Sequence, residues 1–200
     1  MKRIDWKKLL VTSLIFLIPL AFAVCYYGQL PAVLYTHFGI DNQANGINSK
    51  WETLVLTPVL AFIFHVCLCI ALDVTKNSQI PAVRVLKWLM PILTTLVTGF
   101  ILLYNLGYQV DIRRLVVAFL AGVYLITGNY MPKDVAGITS PQTLTDRKKA
   151  AYLFIGGALA LLISLFFAPV VSLIVGLIFI LLFGIWSIRV WVKGYKITGK

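Results

Sequence analysis

Long apolar blocks separated by short polar connectors run through the chain, near residues 9–27, 54–72, 85–104, 115–130, 150–167 and 170–190. Crossing bilayer hydrocarbon takes about 20 helical residues at roughly 1.5 Å each, and the blocks approach that length. None alternates with period two, and backbone in lipid must satisfy its own hydrogen bonds. The pattern predicts an all-α integral membrane protein with six transmembrane helices. The fourth block is the shortest, with an unbroken run over 115–127 that Arg113 and Arg114 lengthen by snorkelling. Only Ala168 and Pro169 separate the last two. Basic residues at both ends of that pair favour a tight helical hairpin over one long helix, with Pro169 starting the return. The first block follows a basic start as a signal peptide would, but no A-x-A site follows, so it reads as a retained span.

Charge orients the spans. With six crossings, one side receives Lys2, Arg3, Lys7, Lys8, Lys76, Arg84, Lys87, Lys133, Arg147, Lys148, Lys149, Arg189, Lys193, Lys196 and Lys200. The other receives Lys50, Arg113 and Arg114. Cytoplasmic connectors collect Lys and Arg, which places both termini in the cytoplasm. It also accounts for the net charge of +11 without nucleic acid. Composition agrees: 60% of residues are hydrophobic and 12% charged, about half the charged fraction usual in soluble domains. The partner implied by the basic face is anionic lipid. Two halves follow, 1–104 with an extracellular loop at 28–51, and 105–200 with a cytoplasmic loop at 131–149.

Candidate chemistry is sparse. His37, beside Phe38 in the turn-rich outer loop, can hydrogen-bond a ligand, bind a metal, change charge near neutrality, or simply stitch the loop to the membrane surface. Asp41 and Glu52 are the nearby carboxylates, too few for a complete zinc site. In the second block His65 and Cys69 share a helix face, which makes two ligands of an incomplete soft-metal site. His65 is expected to face the bundle interior. Cys25, Cys67 and Cys69 all lie in apolar blocks and do not form a disulfide framework. Gly156, Ala160 and Ser164, and Ala118 with Gly122, repeat every four residues and read as packing stripes. Pro19 and Pro91 should kink their spans, and Thr145 is a candidate cap for the fifth. All seven acids fall in loops or at span ends, leaving His65 as the one intramembrane relay candidate. With no catalytic motif, metal cluster or cofactor fingerprint, the reading is non-enzymatic, with no cofactor and no metal.

Two loops resemble the SdpI family, bacterial membrane proteins that give immunity to a secreted toxin. In the outer loop Leu30, Pro31, His37, Phe38, Gly46, Ser49 and Lys50 fit the signature of the family's N-terminal half, a domain of otherwise unknown function. The chain has Tyr35 where proline is usual, Asn42 where glycine is usual, and Asn45 where aspartate is usual. In the inner loop Gly128, Asn129, Met131, Pro132, Gly137, Ile138, Pro141, Thr143 and Leu144 fit the C-terminal signature. There Thr139, Ser140 and Gln142 replace arginine, threonine and tryptophan. The resemblance implies six spans in a bacterial cell membrane and protection against an antimicrobial peptide or toxin. It also implies, for some members, sequestration of a cytoplasmic transcriptional repressor. Pro31, His37, Phe38, Gly46, Ser49 and Lys50 would then mark the toxin-facing loop. Gly128, Asn129, Pro132, Gly137, Pro141 and Thr143 would mark the loop for a cytoplasmic partner. A small-solute permease is the competing expectation, suggested by the proline-kinked spans; it calls for a polar cavity near His65.

Overall fold

The computed structural model describes residues 4–74, 81–133 and 143–198. The elements are α1 (Trp6–Leu14), α2 (Leu17–Tyr26), β1 (Val33–Phe38), β2 (Ala44–Ser49), α3 (Thr57–Val74), α4 (Pro81–Asn105), α5 (Ile112–Tyr130), α6 (Leu144–Ser164) and α7 (Pro169–Thr198). They divide into two compact units, Met1–Ile112 and Arg113–Lys200.

Among the described residues five helical segments are long and apolar enough to cross a membrane: Trp6–Gln29, Glu52–Val74, Arg84–Asn105, Ile112–Tyr130 and Pro169–Val192. The expected span at 150–167 is not among them. Its helix ends at Ser164 and carries Arg147, Lys148 and Lys149 in its first two turns, so its uncharged helical stretch is residues 150–164, about 22 Å long. Beyond it Leu165, Phe166 and Phe167 donate to the carbonyls three residues back, a tighter winding that rises roughly 2 Å per residue.

In the first unit the prolines act locally. Pro19 has no N–H to offer the Ile15 carbonyl, and its ring crowds that oxygen. The helix accordingly breaks between α1 and α2, where Ile18 N–H donates to Ile15 instead at 3.0 Å. Before Pro58 the chain widens into a π turn at Glu52–Leu56, and the Thr57 hydroxyl bonds the Glu52 carbonyl at 2.9 Å. Pro91, by contrast, lies within a continuous α4, with the Thr95 hydroxyl on its carbonyl at 2.8 Å. The α4 end is a Schellman turn: Gly107, at φ +89, and Tyr108 donate back to Tyr104 and Leu103.

The turn-rich loop expected between the first two spans folds into an antiparallel β-hairpin, so the chain is helical apart from one two-stranded sheet among the described residues. Its tip is closed by Gly39 N–H to the Gln43 carbonyl, 2.8 Å, with Asn42 at φ 63. The left-handed region favours glycine, and asparagine is among the few other residues that tolerate it. That is the physical sense of asparagine standing where the resembling sequences carry glycine.

In the second unit Val117, Ala121, Ala158 and Leu161 form a buried cluster joined by Tyr124, Leu162, Leu165 and Val175. Tyr124 stacks on Phe179 with centroids 4.1 Å apart, and Phe154, Phe183 and Trp186 extend the aromatic column. Close helix approach uses Gly128 and Gly157: a Cβ on Gly128 would lie 2.8 Å from Ile155, and one on Gly157 would meet Phe179. The stripes read from the sequence fall elsewhere. Gly122 and Gly156 have nothing within 4 Å of a built Cβ, while Ser164 bonds the buried Ser172 hydroxyl at 2.8 Å. Arg113 turns toward the α6 end, its guanidinium donating to Phe167 at 2.9 Å and to Leu165, as cations at helix C-termini do.

Candidate functional site

The hairpin is tied down on every side within the first unit. At its base the Lys50 ammonium donates to the carbonyls of Tyr27 and Leu30, both at 2.8 Å, and lies 4.3 Å above the Tyr27 ring. Those carbonyls close the end of the first span, so the charge serves a helix C-terminus. Ser49 and Glu52 form a capping box: the Ser49 hydroxyl and backbone N–H both donate to the Glu52 carboxylate, and Glu52 N–H returns to Ser49 Oγ. The pattern S-x-x-E was readable in the sequence. At its edge, the Asn105 amide pairs with Tyr35 as a strand would, accepting from its N–H at 2.9 Å and donating to its carbonyl at 3.0 Å. At its tip, Asn42 donates to the Val110 carbonyl at 2.8 Å and accepts from Ile112 N–H at 2.9 Å.

The residues that carry the outer-loop resemblance therefore divide by task. Leu30 is buried, and Phe38 packs edge-on against Phe100 and Tyr104. Ser49 caps, Lys50 ties, and Gly46 leaves room for the His37 side chain, since a Cβ there would meet the His37 Cβ at 2.9 Å. Pro31 and His37 are exposed. His37 bonds the adjacent Thr36 hydroxyl at 3.0 Å through Nδ1, leaving Nε2 for an outside partner. A register irregularity at His37 sets its position on the strand.

Asn105 was not singled out from the sequence, and Asn42 only as a turn residue standing where glycine is usual. Their partners lie about 70 residues away, and an asparagine in a loop or at a span end looks like ordinary solvation.

At the opposite end of α3 the acid lies at a span end, as expected, but it is buried, and Lys87 is buried with it instead of joining an exposed basic face. Asp73 is 5% and Lys87 2% exposed, and they form an ion pair. Asp73 also accepts the Asp5 N–H at 3.0 Å, which joins the starts of α1 and α4 to the end of α3. One helical stretch away His65, fully buried as expected, meets the Thr12 hydroxyl at 3.0 Å. The Thr12 hydroxyl also reaches the carbonyls of Lys8 and Leu9, and Cys69 Sγ lies 3.6 Å from His65 Nε2 and 3.7 Å from its Nδ1. His65 is thus not the one titratable group inside the helices. Among the described residues no cluster of three or more His, Cys, Asp or Glu can hold a metal. The nearby hollow between α1, α2 and α3, about 220 Å³, is lined by Ser13 and apolar side chains rather than by His65.

In the second unit Gly128 is buried against α6, Asn129 is exposed, and Pro132 sits in the turn after α5. Thr143, not Thr145, caps α6, accepting from Asp146 N–H at 3.1 Å. Arg147 reaches the Lys133 carbonyl at 3.3 Å and closes the stem of the loop. Gly137 and Pro141, like Lys76 and Asp134, lie outside the described residues.

The class these features define is a multi-helix protein of membrane type whose first unit presents an anchored β-hairpin. Comparison adds that residues 14–62 match the family described as Domain of unknown function (DUF1648), a segment running from the end of α1 through the whole hairpin into α3. No curated protein and no solved structure matches the chain.

Proposed function

We propose that the protein is a non-enzymatic immunity protein of a bacterial cell membrane, protecting the cell from a secreted antimicrobial peptide or toxin. The hairpin is its toxin-facing surface. It spans the membrane six times with both termini in the cytoplasm. The shortest span is α6, which reaches about 28 Å when residues 165–167 are included, near the roughly 30 Å of hydrocarbon. Loop 131–149, on the basic face, receives a cytoplasmic transcriptional repressor.

One observation carries the reading. Of the residues in the outer-loop resemblance, His37 is the polar one whose side chain is exposed and makes no contact that holds the hairpin to the helices. A fold-building residue has somewhere to be; this one faces outward from a rigid base.

The test is expression in a toxin-sensitive host. His37→Ala should abolish protection while membrane levels stay at wild-type values. If it protects as well as wild type, the hairpin is not the contact surface. Cysteine labelling of intact cells should reach position 37 and not position 148; the reverse would invert the topology.

The buried Asp73–Lys87 pair beside α1 favours a second reading, a small-solute permease, because charges inside spans commonly mark transport paths. Solute uptake into proteoliposomes that disappears in Asp73→Asn would establish it. Protection without uptake would remove it.

A further inference from the structure

We propose that the groove between α6 and α7 is a binding site for one anionic phospholipid, independent of the hairpin's role. At its mouth Lys149 and Arg189 line a hollow of about 350 Å³ together with Asp146 and Trp186. Both cations are exposed, and neither makes a hydrogen bond or ion pair with a described residue. Asp146 is engaged at the helix start, where the Thr143 hydroxyl and carboxylate meet at 2.6 Å. The Trp186 indole Nε1 is shielded from solvent yet has no acceptor among the described residues, and a buried donor without a partner is costly. Two free cations and an unanswered N–H in one hollow are the complement of a phosphodiester.

The remainder of the groove is apolar, which selects a lipid over a free anion. Leu153, Leu182 and Ile185 continue the lining, and Leu153 and Leu182 also line an adjoining hollow of about 340 Å³ that runs past Gly156, Gly157 and Ala160. From Asp146 to Ala160 the groove follows about 21 Å of α6, longer than the roughly 15 Å of one leaflet's hydrocarbon. Gly156, with open space where a Cβ would stand, gives this floor its depth. Gly156 and Ala160 of the small-residue stripe are thereby channel wall, while Ser164 makes the helix contact. A charged mouth joined to an apolar trough is the layout of a phospholipid, and basic pockets between helices are where anionic head groups bind.

Native mass spectrometry of the full chain in a non-ionic detergent tests this. Titrated dioleoylphosphatidylglycerol should bind as a single adduct, in preference to dioleoylphosphatidylcholine. Lys149→Gln/Arg189→Gln should weaken it roughly 30-fold, which is about 1 kcal/mol per basic residue. Lys7→Gln/Lys148→Gln removes the same charge outside the groove and should leave binding unchanged. Gly156→Leu, filling the trough, should weaken the dioleoyl lipid and spare the dihexanoyl form. Circular dichroism checks that each variant is folded. Equal loss in the Lys7/Lys148 control would reduce the effect to net charge and overturn the site. Displacement by millimolar inorganic phosphate, or equal binding of short and long acyl chains, would make it an anion site and overturn the lipid.

Discussion

Helices in the two units are held by different means. In the first, polar groups make the joints: Asp73 with Lys87 and Asp5, His65 with Thr12, Asn105 with Tyr35, and Lys50 with the end of the first span. In the second, proximity and rings predominate, through Gly128, Gly157 and the Tyr124–Phe179 column, with the Ser164–Ser172 bond and Arg113 as polar joints at one end. Lipid tails are as apolar as leucine, so burying leucine between helices gains little in a bilayer, and either polar bonds or close packing must supply the attraction. The two solutions differ in tolerance. A polar joint demands one partner at one place and fixes the register of its elements, which suits a unit that has to hold a hairpin in a defined position. Packing tolerates substitution of similar volume, and it can leave a trough where one small residue too many lines a helix face.

The sharpest way to break the contrast is at the ion pair. Asp73→Ala should cost about 3–5 kcal/mol, because it leaves a buried ammonium unpaired, whereas Asp73→Leu/Lys87→Met should recover most of the loss. Unfolding of the purified protein in SDS, followed by circular dichroism, measures both. If the single and double variants are equally damaged, the pair does not join these helices. In the second unit Gly128→Val should cost roughly 1–3 kcal/mol by overpacking against Ile155; an unchanged transition would mean the approach of α5 to α6 is loose. Smaller again is Asn42→Gly, which keeps the left-handed turn and forfeits two side-chain bonds, for about 1–2 kcal/mol. Asn42→Val adds backbone strain and should be worse; equal losses would show that the turn is not under that constraint. The least structural effect belongs to His37→Ala, whose thermal midpoint should match wild type while protection is lost. A fall in its midpoint would put His37 among the residues that build the fold.

Much of this was legible in order along the chain. The apolar blocks marked five spanning segments because hydrocarbon thickness sets a length that composition alone can meet, and Pro19 announced the break in the first because its missing N–H acts four residues away. The fifth block differs in its bounds, since hydropathy does not show where a helix stops. Leu165 onward winds tighter, and the cations at 147–149 take up the first two turns of the helix, so its uncharged part is shorter than the block suggested.

Residue type and spacing, then, determined the solvent of this protein, its helical class and the few side chains able to do chemistry. These are properties of segments about 20 residues long or shorter. What only the tertiary structure decided is which of those side chains are spoken for. Lys50, Asn42, Asn105, Asp73 and Lys87 find partners, all but Lys87 with backbone groups, at separations from 14 to 70 residues. A hydrogen bond or ion pair is worth something only at about 3 Å, and such distances are set by folding, not by sequence neighbours. Once those partners are assigned, His37 on the hairpin and the cations at the α6–α7 mouth are among the described groups left to meet something from outside.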